Sequence, residues 1–223
     1  MYKKLLSALL VVATLVSISS ADIARVEAGV GIWSQEPSST VGNTTETLDK
    51  ESDIYVWAYA KHPVPVVPNL RLEYSTATAG ENNFHTSYDF TQIDIIPYYN
   101  ILDNTAWITL DLGLDFKSIS VTQTIFSVET TDDVVLPMLY VRTRFQLPLS
   151  GLGAEADIKY ASYSENTVYD ARIKLDYTFD ITPLIQPGIE IGYRVQKLET
   201  DELLGLGLNY EFSGLYAGVM VRF

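Results

Sequence analysis

The chain has 223 residues, 47% of them apolar and 19% charged, and its 28 acidic and 15 basic side chains leave a net charge of −13. That apolar content excludes a disordered protein, and the absence of cysteine excludes a disulfide scaffold, a thiolate metal site and a thiol nucleophile. The acidity argues against nucleic acid as a partner, because phosphate binding needs a basic surface.

Residues 1–21 read as a secretory signal peptide. Lys3 and Lys4 open it, Leu5 to Val16 is apolar but for Ser7 and Thr14, and Ser19-Ser20-Ala21 places small residues before a cut at Asp22. Residues 22–223 then form one β domain, and no later stretch is apolar for long enough to make a spanning helix.

From there the apolar residues recur at every second position, the period of a strand. In Ala24–Trp33, Val26, Ala28, Val30 and Ile32 oppose Arg25, Glu27, Gly29 and Gly31. Ser34–Ser52 is polar and predicts a long loop. Asp53–Lys61 is apolar on both faces, so its orientation stays open. Leu70–Thr78 sets Leu70, Leu72 and Tyr74 against Arg71, Glu73 and Ser75, and Thr91–Pro97 sets Ile93 and Ile95 against Gln92 and Asp94. In Trp107–Lys117, Ile108, Leu110, Leu112, Leu114 and Phe116 oppose Thr109, Asp111, Gly113, Asp115 and Lys117. Ser118–Asp133 predicts a second long loop. Pro137–Phe145 sets Leu139, Val141 and Phe145 against Tyr140, Arg142 and Arg144. Leu152–Tyr160 exposes Glu155, Asp157 and Lys159 on one side; Tyr169–Phe179 does the same with Asp170, Arg172, Lys174 and Asp176, and Ile189–Val195 with Glu190 and Arg194. The final stretch, Leu203–Phe223, changes phase at Ser213-Gly214, which predicts one strand interrupted by a β-bulge.

The other connections, His62–Asn69, Tyr98–Asn104, Leu147–Gly151 and Asp180–Pro187, are short and marked by proline or Asn/Asp. Long loops on one side and short turns on the other is the asymmetry of an outer-membrane barrel. Aromatic residues near strand ends (Phe116, Phe145, Tyr160, Tyr169, Phe179, Phe223) suit two membrane interfaces. The expected fold is all-β: a closed antiparallel up-and-down transmembrane barrel of ten strands, with eight as the alternative. Its lumen would hold Arg25, Glu27, Arg71, Glu73, Asp111, Asp115, Arg142, Arg144, Glu155, Asp157, Lys159, Arg172, Lys174, Asp176, Glu190, Arg194 and Arg222. A soluble barrel with these faces reversed is the competing arrangement.

The chain ends with Leu215, Ala217, Val219, Val221 and Phe223 at alternate positions. This ending resembles the C-terminal signature of Gram-negative outer-membrane barrels, and the whole chain resembles small integral barrels of the OmpA and OmpW kind, barrel only. The resemblance implies an outer-membrane location. It also implies lipid and lipopolysaccharide as surroundings, and the barrel-assembly machinery and periplasmic chaperones as partners during biogenesis.

Interleaved charges in a small lumen suggest a side-chain-filled barrel with a structural or surface-interaction role. A narrow pore for small polar solutes and a soluble periplasmic barrel binding an apolar ligand are the alternatives. No cofactor is expected. His62 and His85 are the two histidines, and neither sits in a pattern that builds a catalytic base. The acids Glu129, Asp132 and Asp133, and Glu199, Asp201 and Glu202, lack metal-loop spacing and read as solvated loop faces. Asn43-Thr44-Thr45 reads as loop chemistry rather than as a glycosylation site.

Overall fold

The computed structural model describes residues 24–41, 44–64, 66–80, 86–125, 128–163, 166–182, 184–200 and 208–223. The proposed signal peptide, His85, Asn43, Asp201, Glu202, Leu204 and Leu206 lie outside them. Eleven strands follow one another: β1 (Arg25–Val41), β2 (Thr44–Thr47), β3 (Glu51–Lys61), β4 (Asn69–Ala79), β5 (Thr86–Thr105), β6 (Ile108–Ile125), β7 (Val128–Gln146), β8 (Leu152–Tyr163), β9 (Asn166–Thr178), β10 (Gln186–Thr200) and β11 (Leu208–Arg222). Each pairs antiparallel with its neighbours, and β11 returns to β1, from Glu27 with Arg222 to Ser39 with Tyr210. The short β2 pairs with β1 in line with β3, across the break at 48–50. The wall is therefore a closed barrel of ten strands.

The faces fall as the alternation predicts. Leu112, Ile173 and Val219 point outward, 41%, 62% and 58% exposed, while Asp111, Lys174 and Asp176 are buried inside. This removes the soluble barrel with an apolar centre behind these segments. The undecided strand is settled too: Tyr55, Trp57 and Tyr59 face inward, and Ile54 and Val56 outward.

The wall extends much further than the short alternating segments suggest. β5, β6 and β7 are 20, 18 and 19 residues long. On β6 the outward apolar run from Ile108 to Phe116 covers about 27 Å of strand at ~3.3 Å per residue. Tilted by about 40°, that rises about 20 Å, most of the ~25 Å apolar band of an outer-membrane barrel. The strand then continues to Ile125 with Ser118, Ser120, Thr122 and Thr124 outward and Ile119 and Val121 buried inside. The same exchange occurs on β5 (Ile93 and Ile95 outside, Phe90 inside), on β9 (Ile173 and Leu175 outside, Val168 inside) and on β11 (Leu215 and Val219 outside, Tyr210 and Phe212 inside). Away from the chain ends, then, the barrel turns polar outside and apolar within.

Three expectations are corrected by this exchange. Ser118–Asp133 is not a loop but the paired arms of a hairpin, in unbroken register to Ile125 with Val128. Much of Ser34–Ser52 is likewise strand, since β1 runs to Val41 and pairs with β2. The phase change in the last strand is not a bulge: β11 keeps one register with both β1 and β10 through Ser213 and Gly214. Its apolar residues change sides because the surroundings do. The predicted turn Tyr98–Asn104 is also strand, with register shifts after Asn100 and Leu102, and the reversal comes at Ala106-Trp107, both at positive φ (51° and 68°).

The closed ring is not of uniform height. β3 and β4 pair only between Ala60 with Leu70 and Tyr55 with Ser75, and β7 and β8 only between Gln146 with Gly153 and Leu139 with Tyr160. Beyond those points the wall separates into two curved sheets, β4–β7 and β8–β11 with β1–β3. Phe90 packs between them on Phe212 and Tyr210 at ring-centroid distances of 5.2 and 5.8 Å.

An arginine in each section tests the two exteriors. Leu112→Arg, in the belt, is expected to lower the unfolding free energy in lipid vesicles by about 2–4 kcal/mol. Thr122→Arg, ten residues along the same face, is expected to change it by no more than about 0.5 kcal/mol. Equal effects in urea titrations would remove the belt.

Candidate functional site

The interior of the belt section is an ionic network built from facing strands. Near the chain ends Glu27 contacts both Arg25 and Arg222, the latter at 3.0 Å. Arg144 grips Asp176 with both terminal nitrogens at 2.7 Å and reaches Glu155 at 3.2 Å. Arg142 bridges Asp111 (2.5 Å) and Glu155 (2.7 Å), and Lys174 joins Glu155 to Glu190 (3.4 and 3.2 Å). Further in, Arg172 joins Glu73 (2.6 Å) to Asp157 (2.7 Å), and Arg71 also holds Glu73 at 2.5 Å. Bidentate guanidinium–carboxylate contacts are the strong, geometrically specific kind.

These bonds cross the lumen. Lys159 on β8 reaches Glu73 on β4 and Asp94 on β5, at 2.6 and 3.1 Å. Lys117 on β6 contacts Asp94 (2.6 Å) and Asp170 on β9 (3.5 Å), and Asp170 also receives Arg194 at 2.7 Å. Tyr55 and Trp57 on β3 donate to one oxygen of Glu190 on β10, at 2.7 and 2.9 Å. Cations also lie over rings: Arg194 on Trp33 (4.5 Å), Lys174 on Trp57 (4.6 Å) and Arg142 on Tyr59 (5.0 Å). Two glycines make the room. A Cβ at Gly29 would lie 2.4 Å from the Trp57 indole nitrogen, and one at Gly153 would lie 2.3 Å from the Arg144 guanidinium.

All seventeen residues expected in the lumen lie on its inner face, with Arg25 and Arg222 partly open at the mouth and the rest buried. Asp94, Lys117 and Asp170 belong with them at the centre, fully buried, although they were not in the expected set. Each alternates in step with expected members (Lys117 with Asp111 and Asp115, Asp170 with Arg172 and Asp176), so the signal was present. The inward aromatic residues carried none, because aromatics fit either face. Among the described residues, ten lumen carboxylates face ten cations, counting Arg25 and Arg222. The chain's excess acid lies elsewhere.

Between Trp33, Trp57, Tyr216, Arg172 and Glu190 lies a lumen cavity of about 20 Å³, room for about one water. Above it, Gln92 and Gln196 bond across the barrel at 3.0 Å, and then the apolar layer of Phe90, Phe212, Ile119 and Leu136 begins. At the opposite end His62 organises its own turn. Its Nδ1 accepts from the Val64 amide at 3.1 Å, which makes Nε2 the donor to the Pro68 carbonyl at 3.0 Å. Among the described residues no group of three His, Asp or Glu side chains is arranged to hold a metal. Of the expected C-terminal alternation, Leu215, Ala217 and Val219 are exposed on the outer face, while Val221 and Phe223 are half-buried.

A closed antiparallel barrel, apolar around its outer belt and ionic within, has the architecture of a small outer-membrane barrel. No family model matches the chain, and no curated protein does. Among solved structures it is similar to the surface protein NspA of Neisseria, with 12% identity, 90% of this chain and 97% of that one covered, and a TM-score of 0.43. It is also similar to the attachment invasion locus protein Ail of Yersinia pestis (7%, 90% and 99%, 0.44). A third is the translocator domain of the autotransporter NalP of Neisseria meningitidis (12%, 100% and 96%, 0.44). At these identities the likeness is to the barrel and to nothing finer.

Removing one hub of the network should be far more damaging than removing a surface lysine. Lys159→Met takes one cation from each of Glu73, Asp94 and Asp170, leaves the buried network one positive charge short, and is expected to lower the unfolding free energy by about 3–5 kcal/mol. Lys197→Met, which loses an outward pair with Glu199 at 2.8 Å, should alter it by about 1 kcal/mol or less. Chemical denaturation followed by tryptophan fluorescence measures both.

Proposed function

We propose that the chain is an integral outer-membrane barrel of Gram-negative type. It is exported by a signal peptide at 1–21, sealed by its own side chains, and serves a structural or surface-interaction role through the polar cylinder beyond the belt. The observation that carries the sealed reading is the crossing of the lumen by Lys159, Lys117 and Arg172, with a cavity of only about 20 Å³ beside them between Trp33, Trp57 and Glu190. A solute would have to part these buried ion pairs, where an uncompensated charge is strongly unfavourable. It would then have to pass the apolar layer around Phe90 and Phe212. The outward belt supports membrane insertion, because a sheet in hydrocarbon must close on itself and present apolar side chains. The reading includes lipid and lipopolysaccharide around the belt. It also includes recognition of Leu215, Ala217, Val219, Val221 and Phe223 by the barrel-assembly machinery, after escort by periplasmic chaperones.

Three measurements test it. Fractionation should place the protein in outer membranes, with a band that shifts on heating before electrophoresis; recovery in the soluble fraction would overturn the membrane reading. In planar bilayers the folded protein should pass no current above leak, and discrete conductance steps would replace the plug with a pore. Phe223→Ser should reduce the folded barrel recovered from cells at least several-fold while leaving refolding into detergent in vitro unchanged. Equal loss in both would assign Phe223 to packing instead of assembly.

A further inference from the structure

We propose that the free edge of β7, Val128–Leu136, is a strand-addition site for an extended, basic polypeptide segment of a partner protein. The inference deepens the surface-interaction reading above and rests on it. β7 pairs with β6 along this whole stretch, but its pairing with β8 begins only at Leu139. Among the described residues no backbone hydrogen bond reaches its other side. Nine residues offer about 30 Å of unpaired strand. Such an edge is a template for another strand unless it is covered or guarded.

The barrel's second seam shows what guarding looks like. Where β4 separates from β3, the Asp53 carboxylate takes the place of the missing partner. It accepts from the Thr78 amide (3.0 Å) and the Thr76 hydroxyl (2.9 Å), and Gln35 donates to it at 2.5 Å. Among the described residues the only comparable device on β7 is at the base, where the Tyr163 hydroxyl donates to the Pro137 carbonyl. Pro137 itself lacks a donor. The stretch beyond it is left open, and lysine, the usual edge guard, is absent.

Charge selects the partner. Glu129, Asp132 and Asp133 lie on this edge, and β7 carries no cation before Arg142. At this end of the barrel the cations among the described residues that lie outside the lumen are Lys50 and Lys197, which face Glu36 and Glu199. Since the lumen charges balance, the net −13 of the chain is carried outside it. An incoming segment would gain main-chain hydrogen bonds from the edge and its register from alternate side chains. Lysines or arginines on its outer face would meet Glu129 and Asp133, while small apolar residues would extend the inner row of Val134 and Leu136.

The test uses the whole folded protein in zwitterionic micelles, so it does not depend on where the protein resides in the cell. The probe is a decapeptide alternating Lys and Thr, with two N-methylated forms, each lacking the amide donors of one edge, and a Glu/Thr form. The Lys/Thr peptide should slow amide hydrogen exchange in Val128–Leu136 at least ten-fold and leave β9 and β10 unchanged. One N-methylated form should lose at least ten-fold in affinity while the other binds normally. The Glu/Thr form should bind the unaltered protein, and the Lys/Thr peptide should bind the triple variant E129K/D132K/D133K, at least ten-fold more weakly. Equal binding by both N-methylated forms would reduce the interaction to charge attraction and overturn strand addition. Amides of Val128–Leu136 already protected as well as those of β6 in the free protein would show the edge covered. Protection that grows with protein concentration alone would make a second copy the occupant. Either result ends the proposal, and neither bears on the sealed, membrane-inserted barrel, which the bilayer and fractionation measurements judge separately.

Discussion

A strand that alternates side chains between two faces can satisfy only one exterior at a time. Here each long strand passes through two exteriors. Over the belt the outside is hydrocarbon, so Leu110, Leu112 and Leu114 face out and Asp111 and Asp115 face in. Beyond it the outside is water, and the order inverts: Ser120 and Thr122 face out, Ile119 and Val121 in. The backbone does not change to accomplish this, and β6 holds one register against β7 from Ile108 to Ile125. Only the sequence of residue types changes parity. One continuous sheet therefore encloses two interiors, an ionic one and an apolar one, stacked end to end.

The ionic interior follows from the same constraint. Once lipid claims the apolar face, the remaining face has only itself for company, and its groups must satisfy one another. Buried charges are strongly penalised unless paired and hydrogen-bonded. The ten-to-ten balance of lumen charges, and the multiple partners of Glu73, Glu155 and Asp170, meet most of that requirement, and Asp115 is the lumen carboxylate that makes no hydrogen bond among the described residues. Arginines stacked on Trp33 and Tyr59 extend it, since a ring face accepts a guanidinium without needing an anion. A lumen so filled resembles a core more than a channel.

Most of the belt was legible in the sequence because charge is unambiguous there. An arginine or aspartate at every second position, as in Asp170 to Asp176, fixes which way a strand faces. Legibility failed where both faces carry apolar residues or both carry polar ones. Tyr55, Trp57 and Tyr59 could not be told from Ile54 and Val56 by hydrophobicity, although Tyr55 and Trp57 have polar groups that reach Glu190. Ser118–Asp133 looked like a loop because serine and threonine are common in loops, yet on a strand in water they are an ordinary outer face. Tyr210 and Phe212 looked like a slip in register because a single exterior was assumed for the whole strand. The seams were invisible for a different reason: they are missing pairings between strands, and alternation along one strand says nothing about its neighbour.

The seams also mark the boundary independently of side-chain polarity. In hydrocarbon an unpaired amide or carbonyl has no water to turn to, so a sheet there must be closed. Both separations, between β3 and β4 beyond Tyr55 with Ser75 and between β7 and β8 beyond Leu139 with Tyr160, begin within a residue or two of the belt's upper rim, next to Ile54 on β3 and opposite Leu114 and Phe116 on β6. The wall opens near that rim, where the Tyr163 hydroxyl and the Asp53 carboxylate stand in for missing backbone partners. Backbone pairing and side-chain polarity obey different energetic terms, one local to hydrogen bonds and the other to apolar area. That both change character at nearly the same height points to a solvent boundary there. It also means that the free edge of β7 exists because the strand outruns the membrane: the length that lifts Val128–Leu136 into water is what leaves its backbone free to pair.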